Sequence, residues 1–231
     1  ATIKAGGVAA LLNSRGSPAE LVAMIDEVTP AIVLADGERA KLIREGGYQG
    51  RMFDLTNPVE ETELAKLVPT GHSADTTLAK PEDPVSILFT SGTTGRVKGA
   101  VLTHRSLTTG LLSMQLSGVM VLHHMAAKYN MTPEALMAAS PQQAVLLVYP
   151  LFHISGLGSA FLSPLFAGSK IVIMRRWDAE EAINLIRDEK ITMFTGVPTM
   201  LWDVLHKAQL NDADLSGLRN IASGGQALPV N

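Results

Sequence analysis

The chain has 231 residues, 46% of them hydrophobic and 18% charged, with a net charge of −3 at pH 7. This is ordinary globular composition, long enough to bury a sizeable core as one large domain or two small ones. The weak net charge excludes a general electrostatic pull toward nucleic acid or anionic lipid. The absence of cysteine excludes disulfides, thiolate metal sites and a cysteine nucleophile.

No stretch approaches the ~20 consecutive apolar residues that span a bilayer. The first residues, Ala1-Thr2-Ile3-Lys4-Ala5-Gly6-Gly7, lack a signal-peptide pattern. The expected location is the cytoplasm. Both ends read as internal: residue 1 enters an apolar segment without a starting methionine, and Ile221-Ala222-Ser223-Gly224-Gly225 runs from strand to turn close to Asn231. The expectation is a fragment of a longer protein.

The first clear element is a helix from Ser17-Pro18-Ala19-Glu20, where Ser17 can cap, Pro18 suits the first helical position and Glu20 completes a capping box. Leu21, Val22, Ile25 and Val28 fall on one face, and Pro30 ends the helix. Ala31–Ala35 reads as a buried strand, 38–45 as a helix stopped by Gly46-Gly47, and 51–55 as a strand. Residues 56–84 lack periodicity and read mostly as loop. A strand at 85–89 then leads into a glycine-rich turn and a helix over 104–117.

The stretch 118–143 holds His123, His124 and methionines at 120, 125, 131 and 137, with a capped helix starting at Thr132-Pro133-Glu134. It reads as an irregular helical insertion packed by methionine, the alternatives being the lining of an acyl tunnel or an oligomer contact. Beyond it come strands at 144–149, 170–174, 191–195 and 220–222, with helices near 157–166, from Asp178 to Lys190 and over 198–208. Strands alternating with helices predict an α/β fold of βαβ units, mostly parallel sheets flanked by helices.

One motif carries chemistry. Thr90-Ser91-Gly92-Thr93-Thr94-Gly95-Arg96-Val97-Lys98-Gly99 follows an apolar strand directly. Its glycines let the backbone bend and approach a ligand closely. Four hydroxyls supply donors, successive backbone N–H groups can form an anion-binding concavity, and Lys98 adds a mobile charge. The composition is that of a polyphosphate cradle. It is neither a Walker A loop nor a Rossmann fingerprint, because Val97-Lys98-Gly99 and the spacing of Gly92 and Gly95 break both patterns.

The motif resembles the phosphate loop of the adenylate-forming superfamily of acyl- and aryl-CoA synthetases, adenylation domains and luciferases, with Val97 where a proline is usual. Further resemblances follow in order: Lys4-Ala5-Gly6-Gly7 with Ile32–Asp36, Leu102-Thr103-His104, Pro150-Leu151-Phe152-His153-Ile154-Ser155-Gly156, Thr195-Gly196-Val197-Pro198-Thr199, and Ser223-Gly224-Gly225. The chain is thereby identified as an internal fragment, residues 1–231, of the large AMP-binding N-terminal domain, with the small C-terminal domain absent. The most similar type is a fatty-acid or aryl-acid CoA ligase.

The resemblance implies ATP, Mg²⁺ and the co-substrate CoA, with a small carboxylic acid as the other partner, no nucleic acid, and room for a homodimer. It assigns Thr90, Ser91, Gly92, Thr93, Thr94, Gly95 and Lys98 to the phosphates, with Thr94 also near the metal. Catalytic roles fall to Lys98, Thr94 and His153, the last lining the acyl site. Gly224, Gly225 and Gln226 would border adenine and acyl group. No Asp stands at the His153 position, which weighs against an amino acid substrate. Asp178 and Glu181 read as helix-capping residues, and Trp177 and Trp202 as packing.

The superfamily's later metal-binding glutamate, ribose-binding aspartate and catalytic lysine are not in this sequence, so the fragment alone is expected not to turn over. The rivals are acid activation for a carrier-protein thiol, amino acid adenylation, and an ATP-binding pseudoenzyme.

Overall fold

The computed structural model describes residues 2–56, 79–91 and 97–224, with the backbone alone of Ser91. They fall into two compact units, one ending at Leu107 and one starting at Thr108.

In the first unit the Ser17 capping box forms as the sequence dictates. Glu20 N donates to the Ser17 side chain, and Ser17 N donates to the Glu20 carboxylate at 2.7 Å. These bonds from Ser17 hold the Glu20 carboxyl below its ordinary value. They launch helix α1 (Pro18–Val28), which buries Leu21, Met24 and Ile25. Helix α2 (Gly37–Glu45) starts at Asp36, whose carboxylate accepts from Arg39 N at 2.9 Å. Leu21, Met24 and Ile25 pack with Val33, Ala35, Ala40 and Ile43 into one apolar cluster.

The strands of this unit form two sheets. Strand β2 (Val33–Ala35) runs parallel to β3 (Met52–Asp54). The other sheet has the order β1 (Ala9–Leu11), β4 (Pro84–Ser91), β5 (Val97–Thr103). Here β1 is parallel to β4, while β4 and β5 are antiparallel. Sequence reading missed both outer strands. The first is three residues long, and Lys98 and Gly99 hide the alternation of the second. The loop expected at 56–84 lies mostly outside the described residues, over 57–78.

Helix α3 (His104–Lys128) begins at the end of the first unit and continues into the second. Its start is a reciprocal cap: Ser106 N donates to Thr103 Oγ1 at 3.1 Å, and Thr103 N to Ser106 Oγ at 3.0 Å. It runs well past the expected end at 117 because Gly118 is tolerated within it and no proline follows until 133. Helix α4 (Pro133–Ala139) comes next, capped by Thr132 as predicted. The expected irregular insertion is therefore mostly helix, and of its four methionines only Met125 is half-buried, Met120, Met131 and Met137 being exposed.

The second unit is built on a four-stranded parallel sheet, in the order β7 (Lys170–Ile173), β6 (Ala144–Leu147), β8 (Met193–Gly196), β9 (Asn220–Ser223). Ala144, Leu146 and Phe194 pack with Ala182, Ile183 and Ile186 of α6 (Ala179–Asp188) and with Val204 and Ala208 of α7 (Pro198–Leu210). Strand side chains alternate between faces, so Val145 and Leu147, also buried, belong to the other face. On β6 packs a π-helix, Ser155–Leu162, followed by α5 (Ser163–Phe166). Sequence reading expected one ordinary helix over this stretch.

Asp178 caps α6, accepting from Glu181 N at 2.8 Å. Trp177 packs as expected, stacked on Phe194 at 5.8 Å with its Nε1–H donated to Asp203. Trp202 does not, being 39% exposed beside His206. Among the described residues no helix is long and apolar enough to cross a membrane.

Phe194 is 1% exposed at the centre of the larger cluster. Phe194→Ala is expected to destabilise the second unit by about 3–5 kcal/mol in urea unfolding. A loss below about 1 kcal/mol would show that this cluster does not hold the unit together.

Candidate active site

In the first unit the candidate phosphate-binding residues sit at the end of the β4–β5 ladder. Thr90 is the register partner of Lys98, and Ser91 of Val97. Residues directly opposite in an antiparallel pair share a face, so the Thr90 hydroxyl and the Lys98 side chain emerge side by side, both exposed. Thr90 Oγ1 also reaches the Lys98 carbonyl at 3.5 Å. Gly92, Thr93, Thr94 and Gly95 lie outside the described residues.

Gly99 has a different task from the ligand approach expected of it. A Cβ there would stand 2.8 Å from Ile87 Cγ2, so its bare backbone lets β5 close over β4. Beneath, Ser86 Oγ donates to the Ala9 carbonyl at 2.9 Å and fastens β4 to β1.

In the second unit all four strands are parallel, so their carboxyl ends share one edge, where ligands of such sheets bind. His153 follows β6, Val197-Pro198 follows β8 and Gly224 follows β9. His153 is exposed. Its Nδ1 accepts from Ser155 N at 3.2 Å, so the neutral ring carries its proton on Nε2 and keeps a donor free. The π-helix starting at Ser155 is tied to the strand end through Gly156, where a Cβ would overlap the Pro150 carbonyl. π-helical turns are rare and often mark functional sites.

A cavity of about 460 Å³ runs along the π-helix face of this sheet to its carboxyl edge. Gln115, Tyr149, Ser155, Thr195, Ser223 and Gly224 are among its lining. Burial pushes the Tyr149 phenol above its ordinary value, so it stays neutral and able to donate. His153 does not line this cavity, although its bonded neighbour Ser155 does. Gly225 and Gln226 lie outside the described residues. Sequence reading overlooked Tyr149 and the serines at 155, 159 and 163. The only signal of the serines was their spacing by four, and Tyr149 carried none. A second cavity of about 470 Å³ opens between Ala144, Lys170, Thr192 and Arg219, at the amino ends of the strands, away from the usual ligand edge.

The described residues contain no group of three or more His, Cys, Asp or Glu able to hold a metal.

An exposed Thr90–Lys98 pair in one unit and a parallel sheet with a polar cavity at its carboxyl edge in the other are the features of an α/β protein with places for a ligand. The chain belongs to the AMP-binding enzyme family, which it matches over residues 1–231. It is 35% identical over 144 residues to 4-coumarate–CoA ligase 3 of Oryza sativa subsp. japonica, covering 62% of this chain and 23% of that protein. It is 27% identical over 227 residues to 4-coumarate–CoA ligase 2 of Solanum tuberosum, covering 96% and 39%. The solved ATP-bound MatB of Rhodopseudomonas palustris superposes with a TM-score of 0.72 at 26% identity, covering 97% of this chain and 41% of that one. The chain thus spans about 40% of the length of those it matches nearly end to end.

Gly156 and Gly110 make a controlled comparison. A Cβ at Gly110, inside α3, meets nothing within 4 Å, whereas one at Gly156 meets backbone. Gly110→Ala is expected to leave the melting temperature unchanged or raise it. Gly156→Ala is expected to lower it by several degrees. Equal melting of both variants would show that the Pro150–Gly156 contact does not constrain the π-helix.

Proposed function

We propose that the full-length protein activates a carboxylic acid, fatty or aryl, with ATP and then transfers the acyl group to CoA. The observation that carries this reading is the pairing of Thr90 with Lys98 at the mouth of the phosphate motif, in a chain that matches the AMP-binding enzyme family throughout. CoA-ligase relatives and the ATP-bound structural neighbour support it. The names of those relatives favour aryl over fatty acids.

In the first step a carboxylate oxygen attacks the α-phosphorus of ATP. The bond to the bridging oxygen breaks, pyrophosphate leaves and acyl-AMP remains. Negative charge grows on the departing phosphates, which fixed dipoles and a cation must meet. Lys98 supplies the cation, and the Thr90 and Ser91 hydroxyls, with Thr93 and Thr94, supply donors. In the second step the CoA sulfur attacks the acyl carbonyl, the thiol proton goes to solvent or base, and AMP leaves. His153 is assigned to the acyl site with its Nε2–H as a donor, and Gly224, Gly225 and Gln226 to the border of adenine and acyl group.

Mg²⁺ would be carried mainly by the ATP phosphates, with Thr94 as the nearby hydroxyl, and no step is routed through it. We further assign the chain to the large AMP-binding domain of a longer cytoplasmic enzyme. On this reading other parts of that enzyme supply the metal-binding glutamate and catalytic lysine, and the 231-residue chain alone forms no AMP.

Acid-dependent exchange of pyrophosphate into ATP by the full-length protein tests this directly. Exchange with fatty or aryl acids is expected, and Lys98→Ala should reduce it about tenfold to a hundredfold. A folded protein that binds ATP but exchanges with no acid would instead be a nucleotide-binding pseudoenzyme.

A further inference from the structure

The cavity at the amino ends of the strands shares no described lining residue with the one on the π-helix face. Chain neighbours divide between the two: Gln142 and Thr192 line the first, Gln143 and Met193 the second. Its floor is apolar, built from buried Ala144 and from Ile186 of α6. Its volume of about 470 Å³ suits a small molecule.

The rim is charged, with Lys170, Arg187, Lys190 and Arg219 set against Glu189 and Asp214. Lys170 is spent on the end of α6, where it pairs with the Glu189 carboxylate and donates to the Glu189 carbonyl at 3.1 Å. Arg187 donates twice to Asp188, at 2.7 and 3.1 Å. The Asp214 carboxylate accepts from Ser216 N at 2.8 Å, and bonds from Ser216 hold its carboxyl below the ordinary value. Lys190 and Arg219 are left: among the described residues neither side chain makes a hydrogen bond or an ion pair. Counting Asp188 and Asp214 against the basic residues, the rim still carries net positive charge. Lys190 also holds a backbone conformation that favours glycine, with φ at +53°. Ile191 N donates across it to the Ile186 carbonyl at 3.0 Å, the bond with which a glycine ordinarily closes a helix. A lysine there keeps a strained backbone and puts a cation on the rim.

We propose that this cavity binds a phosphate monoester carrying an apolar or aromatic body. The phosphate takes Lys190 as a point charge and Arg219 as a fork of donors, while the body lies over Ala144 and Ile186. A neutral ligand leaves both cations unanswered, and a simple carboxylate brings one charge to two of them.

The probe is pyridoxal 5′-phosphate, applied to the full-length protein at physiological ionic strength. Its aldehyde condenses with a lysine amine, losing water, and borohydride reduces the imine to a stable secondary amine. Tagged peptides are then quantified residue by residue, so that any tag at Lys98 is counted separately. Lys190 is expected to be tagged about tenfold faster than the exposed Lys41 and Lys128. Arg219→Gln should slow tagging of Lys190 about fivefold. Arg219 is exposed, and its backbone bond to the Thr192 carbonyl at 2.9 Å survives that change. Tagging of Lys190 no faster than that of Lys41 and Lys128 would overturn the proposal. Equal tagging by pyridoxal, which lacks the phosphate, or an Arg219→Gln variant tagged as fast as the parent would overturn it too.

Discussion

The antiparallel ladder between β4 and β5 is the constraint on which the candidate chemistry depends. A lysine on a free loop would sample many positions, and its charge would be spread through water. Here Lys98 is a strand residue whose backbone is fixed by pairing opposite Thr90. The ladder is in turn pinned by the Ser86–Ala9 hydrogen bond on one side and by the tight approach of Gly99 to Ile87 across the pair. Catalysis of phosphate chemistry relies on charges already in place before the transition state forms. A hairpin supplies that with few residues.

The second unit solves a different problem. A parallel sheet puts the ends of distant chain segments along one edge, so His153, Val197 and Gly224 reach it from three separate strands. The burial of Leu146 and Phe194 against α6 and α7 provides the stiffness of one face. The opposite face is left to the π-helix, whose wider turn brings residues four apart to one side. The face under α6 and α7 is apolar core, while the π-helix face combines buried Val145, Leu147 and Ala160 with a polar cavity lining.

Much of this was legible in the sequence because local signals agreed with the fold. The Ser17 box, the Thr132 and Asp178 caps and the short apolar runs of β2, β6 and β8 each became the element they suggested. Strand β5 was hidden because a glycine needed for packing looks, in one dimension, like a glycine needed for a loop. Helix α3 was cut short in the reading because Gly118 resembles a stop, although nothing crowds it within the helix. The serine lining of the cavity was invisible for a deeper reason. Spacing by four suggests a common face only once the segment is known to be helical, and whether that face is a cavity depends on Tyr149 and Thr195, contributed by strands far away in sequence.

The central claim is that the acid attacks the α-phosphorus of ATP, and isotope transfer tests it without assumptions about affinity. The full-length protein is supplied with ATP and an acid labelled with heavy oxygen in its carboxylate, and the products are separated by mass. The account predicts one labelled oxygen in AMP, left behind when the acyl group departs to CoA. Label in inorganic phosphate, with ADP as the nucleotide product, would mean attack at the γ-phosphorus and an acyl phosphate, contradicting the account.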